Sequence, residues 1–234
     1  PQQSIRTMAR LQQTICREAT TGGIGFITGA DVTVRFLPAV ENHGIVFQRV
    51  DLAEKPYVPA SLDSLIPRQR RTGLNANGAT VELVEHVLSA LAGLQVDNCL
   101  VQLNAPETPG FDGSCQPVVD CLMGAGFEEQ TAPRKVLTVD RDYWLVDNDG
   151  STIQACPSDA TGMKLTYELN YGPASPIPQQ TYSVELTPES FASEIAFART
   201  FILESEVEAL KAQGLGRRTT AKDLLVFSED GIID

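Results

Sequence analysis

The stretch ELVEHVLSALAGLQVDNCLVQL, residues 82–103, places a helix pattern directly before a strand pattern. Five of its apolar residues recur with the period of an α-helix: Val84, Val87, Leu88, Leu91 and Leu94. Residues 82–94 are therefore predicted to form a helix. Cys99, Val101 and Leu103 then recur at every second position, which predicts a strand.

The residues on either side predict the rest of a first domain. Residues 32–36 alternate apolar and polar side chains and are expected to pair with a strand at residues 44–49. Residues 51–77 are rich in Pro, Ser and Arg, which predicts an irregular connection. Residues 112–117 combine capping side chains with a proline suited to a first helical turn. This short helix is expected to end at the glycines of residues 124–126.

The second half repeats this order after a polar, proline-containing stretch, residues 128–135, which we interpret as a linker. Its strand patterns occupy four ranges: 136–146, 151–156, 163–171 and 180–186. Thr187 begins a helix signal of cap, proline and acidic residue, and another helix is expected over residues 204–213. A strand at residues 224–227 precedes a turn, after which residues 232–233 are expected to lack a partner.

Strands followed by a helical layer, twice over, indicate an α+β protein with two similar domains. The length of 234 residues is sufficient for two small domains. We assign residues 1–128 to the first domain and residues 134–234 to the second. The second domain is expected to be incomplete at its end.

Composition excludes several classes of function. The chain has 18 Lys and Arg against 30 Asp and Glu, a net charge of −12, which disfavours binding to nucleic acid or to an anionic membrane. No apolar run approaches the ~20 residues of a membrane-spanning helix, so we expect no integral membrane segment. Five cysteines without a CxxC spacing favour a reducing compartment. With His43 and His86 as the only histidines, a self-contained three-histidine metal site is excluded.

Glu85 and His86 are the strongest candidates for chemistry. The positions three, four and seven residues beyond His86 are small, ending at Gly93, so a ligand or another element can approach this helix face. His86 is either a metal ligand or the surface ion-pair partner of Glu82, four residues earlier. The residues alone leave both interpretations open. Glu85 by itself is typical of a solvated helix surface.

Four further motifs have a structural and a functional interpretation. Residues 104–114 (NAPETPGFDGS) predict an ordered turn in which Asp112 or Ser114 caps the next helix. Residues 22–29 (GGIGFITG) lack the lysine of a phosphate-binding loop, which favours a tight strand connection. Arg199 is expected to complement a helix C-terminus. Two arginine clusters either hold an anionic ligand or are solvated: Arg68, Arg70 and Arg71, and Arg217 and Arg218.

Together these motifs resemble one family. Residues 84–98 (VEHVLSALAGLQVDN) are similar to the VEH…SALAGLxxDN signature of bacterial UDP-3-O-acyl-N-acetylglucosamine deacetylases. Residues 105–114 resemble the APExPxxDGS segment of that family, residues 198–201 its ARTF, and Gly25 with Thr28 and Gly29 its GxGxxTG. The resemblance runs in one collinear order over essentially all 234 residues, which makes it specific.

The resemblance implies an enzyme of lipid A synthesis that removes the N-acetyl group of UDP-3-O-acyl-N-acetylglucosamine. It implies two α+β domains packed helix layer to helix layer, with a zinc site between them. Zinc would polarise the acetyl carbonyl and lower the pKa of a bound water, while a glutamate serves as general base. Carried over to this sequence, His86 would be the first zinc ligand and Glu85 that base.

The resemblance also implies the substrate contacts. Thr200 would stabilise the oxyanion, and Phe201 would pack against the substrate. Phe26, Arg217 and Arg218 are further candidate substrate-binding residues. The expected partner is the UDP-linked acylated amino sugar, and the expected protein is a cytoplasmic monomer.

The sequence departs from the family pattern at three positions. Ile27 stands where the family usually has His, Ser151 where a lysine contacts substrate, and Gly172 where a His precedes Pro. Residues 217–220 replace a glycine-rich segment. The remaining zinc ligands, in an HKxxD motif on a late helix, are expected after Asp234.

Two alternatives therefore compete with a zinc deacetylase. One is a non-catalytic member of the family that binds a nucleotide-sugar or a protein partner, which the changes at Ile27, Ser151 and Gly172 favour. The other is a metal-free hydrolase that uses Glu85 and Asp112 as paired carboxylates. Metal content, activity and sensitivity to a chelator distinguish the three.

Overall fold

The computed structural model describes residues 10–158 and 162–233, which form an α+β fold. In chain order the strands are β1 (Leu11–Ile15), β2 (Ala19–Ile24), β3 (Asp31–Pro38), β4 (Ile45–Arg49), β5 (Tyr57–Pro59), β6 (Leu65–Ile66), β7 (Gly73–Ala76), β8 (Ala79–Glu82), β9 (Cys99–Leu103), β10 (Phe127–Pro133), β11 (Tyr143–Val146), β12 (Thr152–Ala155), β13 (Met163–Leu169), β14 (Gln180–Leu186), β15 (Phe201–Leu203), β16 (Leu225–Ser228) and β17 (Gly231–Ile233). The helices are α1 (Glu85–Gly93), α2 (Gln116–Ala125), α3 (Pro188–Ser190) and α4 (Glu204–Ala212). A 3-10 turn covers Leu62–Ser64, and a π-helical turn, Phe191–Ile195, continues α3.

A five-stranded sheet in the order β2-β3-β9-β4-β5 forms the centre of the first half. The prediction that β3 pairs with β4 is wrong, because β9 lies between them, antiparallel to β3 and parallel to β4. Val101 and Leu103 of β9 are fully buried, which suits a central strand. Helices α1 and α2 share one apolar cluster with this sheet through residues such as Leu91 and Leu122.

Two predicted boundaries need correction. Helix α1 begins at Glu85, not at Glu82, because residues 79–82 form β8 and Leu83 then takes a left-handed backbone conformation with φ 58°. Residues 51–77 are not irregular throughout, since they contain β5, β6 and β7. Strands β6, β7 and β8 form a small antiparallel sheet directly before α1.

The stretch interpreted as a linker is instead a strand. Strand β10 pairs with β1 in antiparallel register, with Ile15 opposite Phe127. Polar side chains at Glu128 and Glu129 are accommodated because they are exposed. The division into two domains stays a prediction.

The second half consists of small sheets and short helices. Strands β11 and β12 pair as one hairpin and β13 and β14 as another, so that residues 136–142 are not part of a strand. Strand β16 lies between parallel β15 and antiparallel β17. Ile232 and Ile233 therefore pair with Phe227 and Val226, contrary to expectation. Within the described ranges, no helix is long and apolar enough to cross a membrane.

Candidate active site

Glu85 is the first residue of α1, and its carboxylate is held by the backbone of an earlier segment. Glu85 Oε2 accepts the Thr72 N–H at 3.0 Å. The Val84 N–H in turn donates to the Thr72 carbonyl at 3.4 Å, so the two segments are joined on both sides of Thr72. A carboxylate in a first helical turn also faces the positive end of the helix dipole. Glu85 is therefore a fixed acceptor and not a freely solvated side chain.

His86 is half-buried, and this burial decides its protonation. Burial lowers the pKa of His86 below its ordinary value, although the negative charges of Glu85 and Asp112 oppose the shift. The imidazole is therefore neutral at pH 7, the form that binds metals. The proposed ion pair with Glu82 is wrong, because Glu82 binds Arg68 and Arg71 instead.

The small residues beyond His86 admit another structural element. The Phe191 ring lies directly over Gly93, at the position where any larger residue would carry its Cβ. Phe191 is buried, and it begins the π-helical turn that continues α3. Because Gly93 has no side chain, the Phe191 ring can pack against α1, and this contact joins α1 to the second half of the chain.

Residues 112–114 form a turn that the second half approaches closely. Asp112 Oδ1 accepts both the N–H and the hydroxyl of Ser114, whose Oγ accepts the Gln116 N–H at the start of α2. The prediction of an ordered turn is confirmed, but the N-cap residue of α2 is Cys115 and not Asp112 or Ser114. Gly113 has φ 85°, and a Cβ there would lie 2.9 Å from the Asp223 carbonyl oxygen.

Thr200 is brought beside this turn. Its N–H donates to the Gly113 carbonyl at 2.8 Å, and its own carbonyl accepts the Leu225 N–H at 3.0 Å. Arg199 donates to the carbonyls of Asp112 and Lys222, so the prediction that it complements a helix terminus is wrong. These bonds bring Thr200 to the loop whose Asp112 charge acts on His86.

Glu107 organises the glycine-rich connection, a role that the motif did not reveal. Glu107 is 1% exposed, and its carboxylate accepts the N–H groups of Ile27 and Thr28, together with the Thr28 hydroxyl. A Cβ at Gly25 would overlap the Glu107 carboxylate. The tight-connection interpretation is confirmed, and the backbone role of Ile27 does not depend on its side chain.

The candidate substrate residues lie in two groups. The Phe26 ring packs on Gly110, and its carbonyl accepts the Gly216 N–H at 2.9 Å. Arg218, two residues after Gly216, donates to the Gly29 carbonyl at 2.8 Å and forms an ion pair with Asp31 at 3.0 Å. Arg217 folds back beside Gly214. Phe201 forms a separate group, with edge-to-face contacts to Tyr171 and Phe227 at centroid distances of 5.9 and 5.7 Å.

The chain is similar in sequence to known proteins of one family. The model of the family described as LpxC, UDP-3-O-acyl N-acetylglycosamine deacetylase, matches residues 12–234. The UDP-3-O-acyl-N-acetylglucosamine deacetylase of Myxococcus xanthus is 35% identical over 98% of this chain and 72% of its own length. The protein of the same name from Xylella fastidiosa is 34% identical over 94% of this chain and 74% of its own length. The chain belongs to the UDP-3-O-acyl-N-acetylglucosamine deacetylase family.

A fused relative is also similar. The bifunctional enzyme LpxC/FabZ of Chlorobaculum tepidum is 37% identical over 87% of this chain and 43% of its own length. The deacetylase family resemblance seen in residues 84–98 is therefore confirmed by matches across nearly the whole chain. The roles of the individual site residues stay predictions.

The residues present fit part of a metal site for this deacetylase family. The neutral imidazole of His86 suits one nitrogen ligand. Over residues 10–158 and 162–233, no group of three or more His, Cys, Asp or Glu side chains is arranged to hold a metal ion. The described residues therefore supply one candidate ligand and no complete set.

Proposed function

We propose that this chain catalyses hydrolysis of the N-acetyl group of UDP-3-O-acyl-N-acetylglucosamine, a step of lipid A synthesis in the bacterial cytoplasm. The observation that carries the proposal is the Glu85–His86 pair within a family match over residues 12–234. Glu85 is held by the Thr72 amide, and burial keeps His86 neutral. These are the states required of a general base and of a nitrogen ligand.

We propose zinc as the cofactor, with His86 as one ligand and the other ligands outside these 234 residues. When bound, zinc supplies Lewis-acid polarisation of the acetyl carbonyl and makes water more acidic. His86 would hold the ion through its neutral imidazole nitrogen.

Proton transfer and stabilisation of the oxyanion would then be carried out by Glu85 and Thr200. One Glu85 oxygen is occupied by the Thr72 amide, and the other accepts no hydrogen bond from the described residues, so it can accept a proton from water. The water oxygen attacks the acetyl carbon, and the Thr200 hydroxyl donates to the oxyanion that forms. The proton then passes to the leaving nitrogen, and acetate and a free amine separate.

Two groups of residues serve the substrate in this proposal. The aromatic cluster of Phe201, Tyr171 and Phe227 supports an apolar or ring contact beside Thr200. Phe26, Arg217 and Arg218 would bind the UDP moiety, because arginine forms favourable pairs with phosphate. Arg218 would exchange part of its contact with the exposed Asp31 for the diphosphate. We expect the enzyme to act as a monomer.

Acetate release by the purified full-length protein tests this function. The expected result is release of acetate from the UDP-linked substrate, one zinc per chain by elemental analysis, and loss of activity with a chelator. A zinc-loaded protein that binds the nucleotide-sugar without releasing acetate would instead support the non-catalytic alternative. Activity that survives complete removal of metal would support paired catalysis by Glu85 and Asp112.

A further inference from the structure

We propose that Glu82 is a positioning residue, which holds two arginines so that the Thr72 amide stays against the Glu85 carboxylate. The inference rests on the proposed role of Glu85 as general base. It concerns a side chain that touches neither His86 nor the expected reacting atoms, and it assigns the Arg68–Arg71 segment a role other than anion binding.

Glu82 bridges the two arginines through its separate oxygens. Oε1 accepts from Arg68 Nε at 2.7 Å, and Oε2 accepts from Arg71 Nε at 2.5 Å. The Glu82 side chain is only 15% exposed, so this contact is sheltered from water and from salt. Burial alone raises the pKa of Glu82, but hydrogen bonds from Arg71 and Arg68 lower it below its ordinary value. Both ion pairs are therefore formed at neutral pH.

The backbone on both sides of Thr72 is tied to Glu82. The side chain of Arg71, the residue before Thr72, forms an ion pair with the Glu82 carboxylate. Gly73, the following residue, is the β7 partner of Glu82 in the β7–β8 register. Gly73 also lacks a side chain where Arg68 crosses the strand, since a Cβ there would lie 3.1 Å from Arg68 Cγ. The direction of the Thr72 N–H is thus set from two sides.

The backbone of Glu82 is itself anchored independently of its side chain. Its N–H donates to the Pro106 carbonyl at 2.8 Å, and its carbonyl accepts the Thr108 N–H at 3.0 Å. Loss of the Glu82 charge would therefore release the Arg68–Arg71 segment while β8 and the start of α1 stay in place. A displacement of the Thr72 amide would leave the Glu85 carboxylate free to rotate away from its productive position.

A double-mutant cycle between Glu82 and Glu85 in the full-length, zinc-loaded protein tests this inference. Glu82→Gln should lower kcat for acetate release about tenfold with KM unchanged, because misplacement of a reacting group affects the chemical step. In a Glu85→Gln background, Glu82→Gln should cause no further loss. Glu18→Gln is the matched control, since it removes an exposed pair with Arg35. The Thr72 amide should also exchange faster with deuterium in Glu82→Gln than in wild type.

Equal loss of kcat in both backgrounds would overturn the inference, as would wild-type kcat and Thr72 exchange in Glu82→Gln. Arg71→Gln, which retains the Arg68 contact, gives the same comparison if Glu82→Gln does not fold. A Glu85→Gln variant with wild-type activity would contradict the proposed function instead. In that case Thr72 exchange alone decides whether Glu82 holds the segment.

Discussion

At the scale of single residues, Gly93 determines how α1 meets the second half of the chain. The Phe191 ring occupies the space that a side chain at this position would need. The contact between Gly93 and Phe191 cannot be inferred from the sequence, because small residues on a helix face are compatible with a ligand, with solvent or with another helix. Only the position of Phe191, about a hundred residues later, decides among them.

We predict that Gly93→Ala lowers the free energy of unfolding by about 1–3 kcal/mol, because a methyl group would overpack against the Phe191 ring. Gly124→Ala is the matched control, since Gly124 also lies in a helix and a Cβ there would have nothing within 4 Å. The control should be neutral or more stable by up to about 1 kcal/mol. Urea unfolding measures both, and equal midpoints for the two variants would contradict the packing described here.

The candidate site could be predicted only in part. Glu85 and His86 stand out in the sequence because their motif is local. The partners that give them their states are not local: the Thr72 amide comes from a residue of no particular type, and Asp112 acts from a separate loop. A backbone donor leaves no signature in the sequence, since every residue other than proline has one.

At the scale of elements, the sequence predicted individual strands and helix caps correctly, but it predicted the wrong partner for β3. The strand predicted over residues 180–186 coincides with β14, and Thr187 is the helix cap as predicted, forming a capping box with Ser190. Alternation and capping depend on neighbouring residues and are therefore visible in the sequence. The insertion of β9 between β3 and β4 depends on contacts far apart in the chain, which alternation does not encode.

The glycine-rich connection between β2 and β3 depends on one buried carboxylate. We predict that Glu107→Gln lowers the free energy of unfolding by about 1–3 kcal/mol, because an amide nitrogen would face an N–H donor of Ile27 or Thr28. KM for the UDP-linked substrate should rise as Phe26 loses its fixed position. Glu128→Gln, at an exposed position of β10, should change neither. Unaltered stability and KM in Glu107→Gln would refute this role.

At the scale of the whole molecule, the ion pair between Arg70 and Glu206 joins the two halves of the chain, as does the pair between Arg218 and Asp31. Arg70 lies between β6 and β7 of the small antiparallel sheet, and it pairs with Glu206 of α4. The hydrogen bond from Arg70 lowers the pKa of Glu206 below its ordinary value of 4.5. A lowered pKa means that the folded state favours the charged carboxylate, so the pair stabilises the fold above the unfolded pKa.

We predict that the difference in unfolding free energy between wild type and Glu206→Gln is constant above about pH 5.5. It should shrink as the pH falls below about 4.5, because Glu206 then takes up a proton in the unfolded state while the folded state still holds the charged carboxylate. Glu208→Gln, at an exposed position of the same helix, is the control and should show little difference from wild type at any pH. Urea titrations between about pH 3 and 7 give the comparison, and a pH-independent difference for Glu206→Gln would contradict it.

Acetate release by Glu85→Gln is the decisive measurement, because Glu85 is proposed to act as the base beside the His86 ligand. We expect kcat to fall by about 10²–10⁴-fold, the usual contribution of a general base. Zinc content should stay at the wild-type value, and Glu18→Gln should retain wild-type kcat. A Glu85→Gln protein that binds zinc and releases acetate at the wild-type rate would exclude Glu85 as the base.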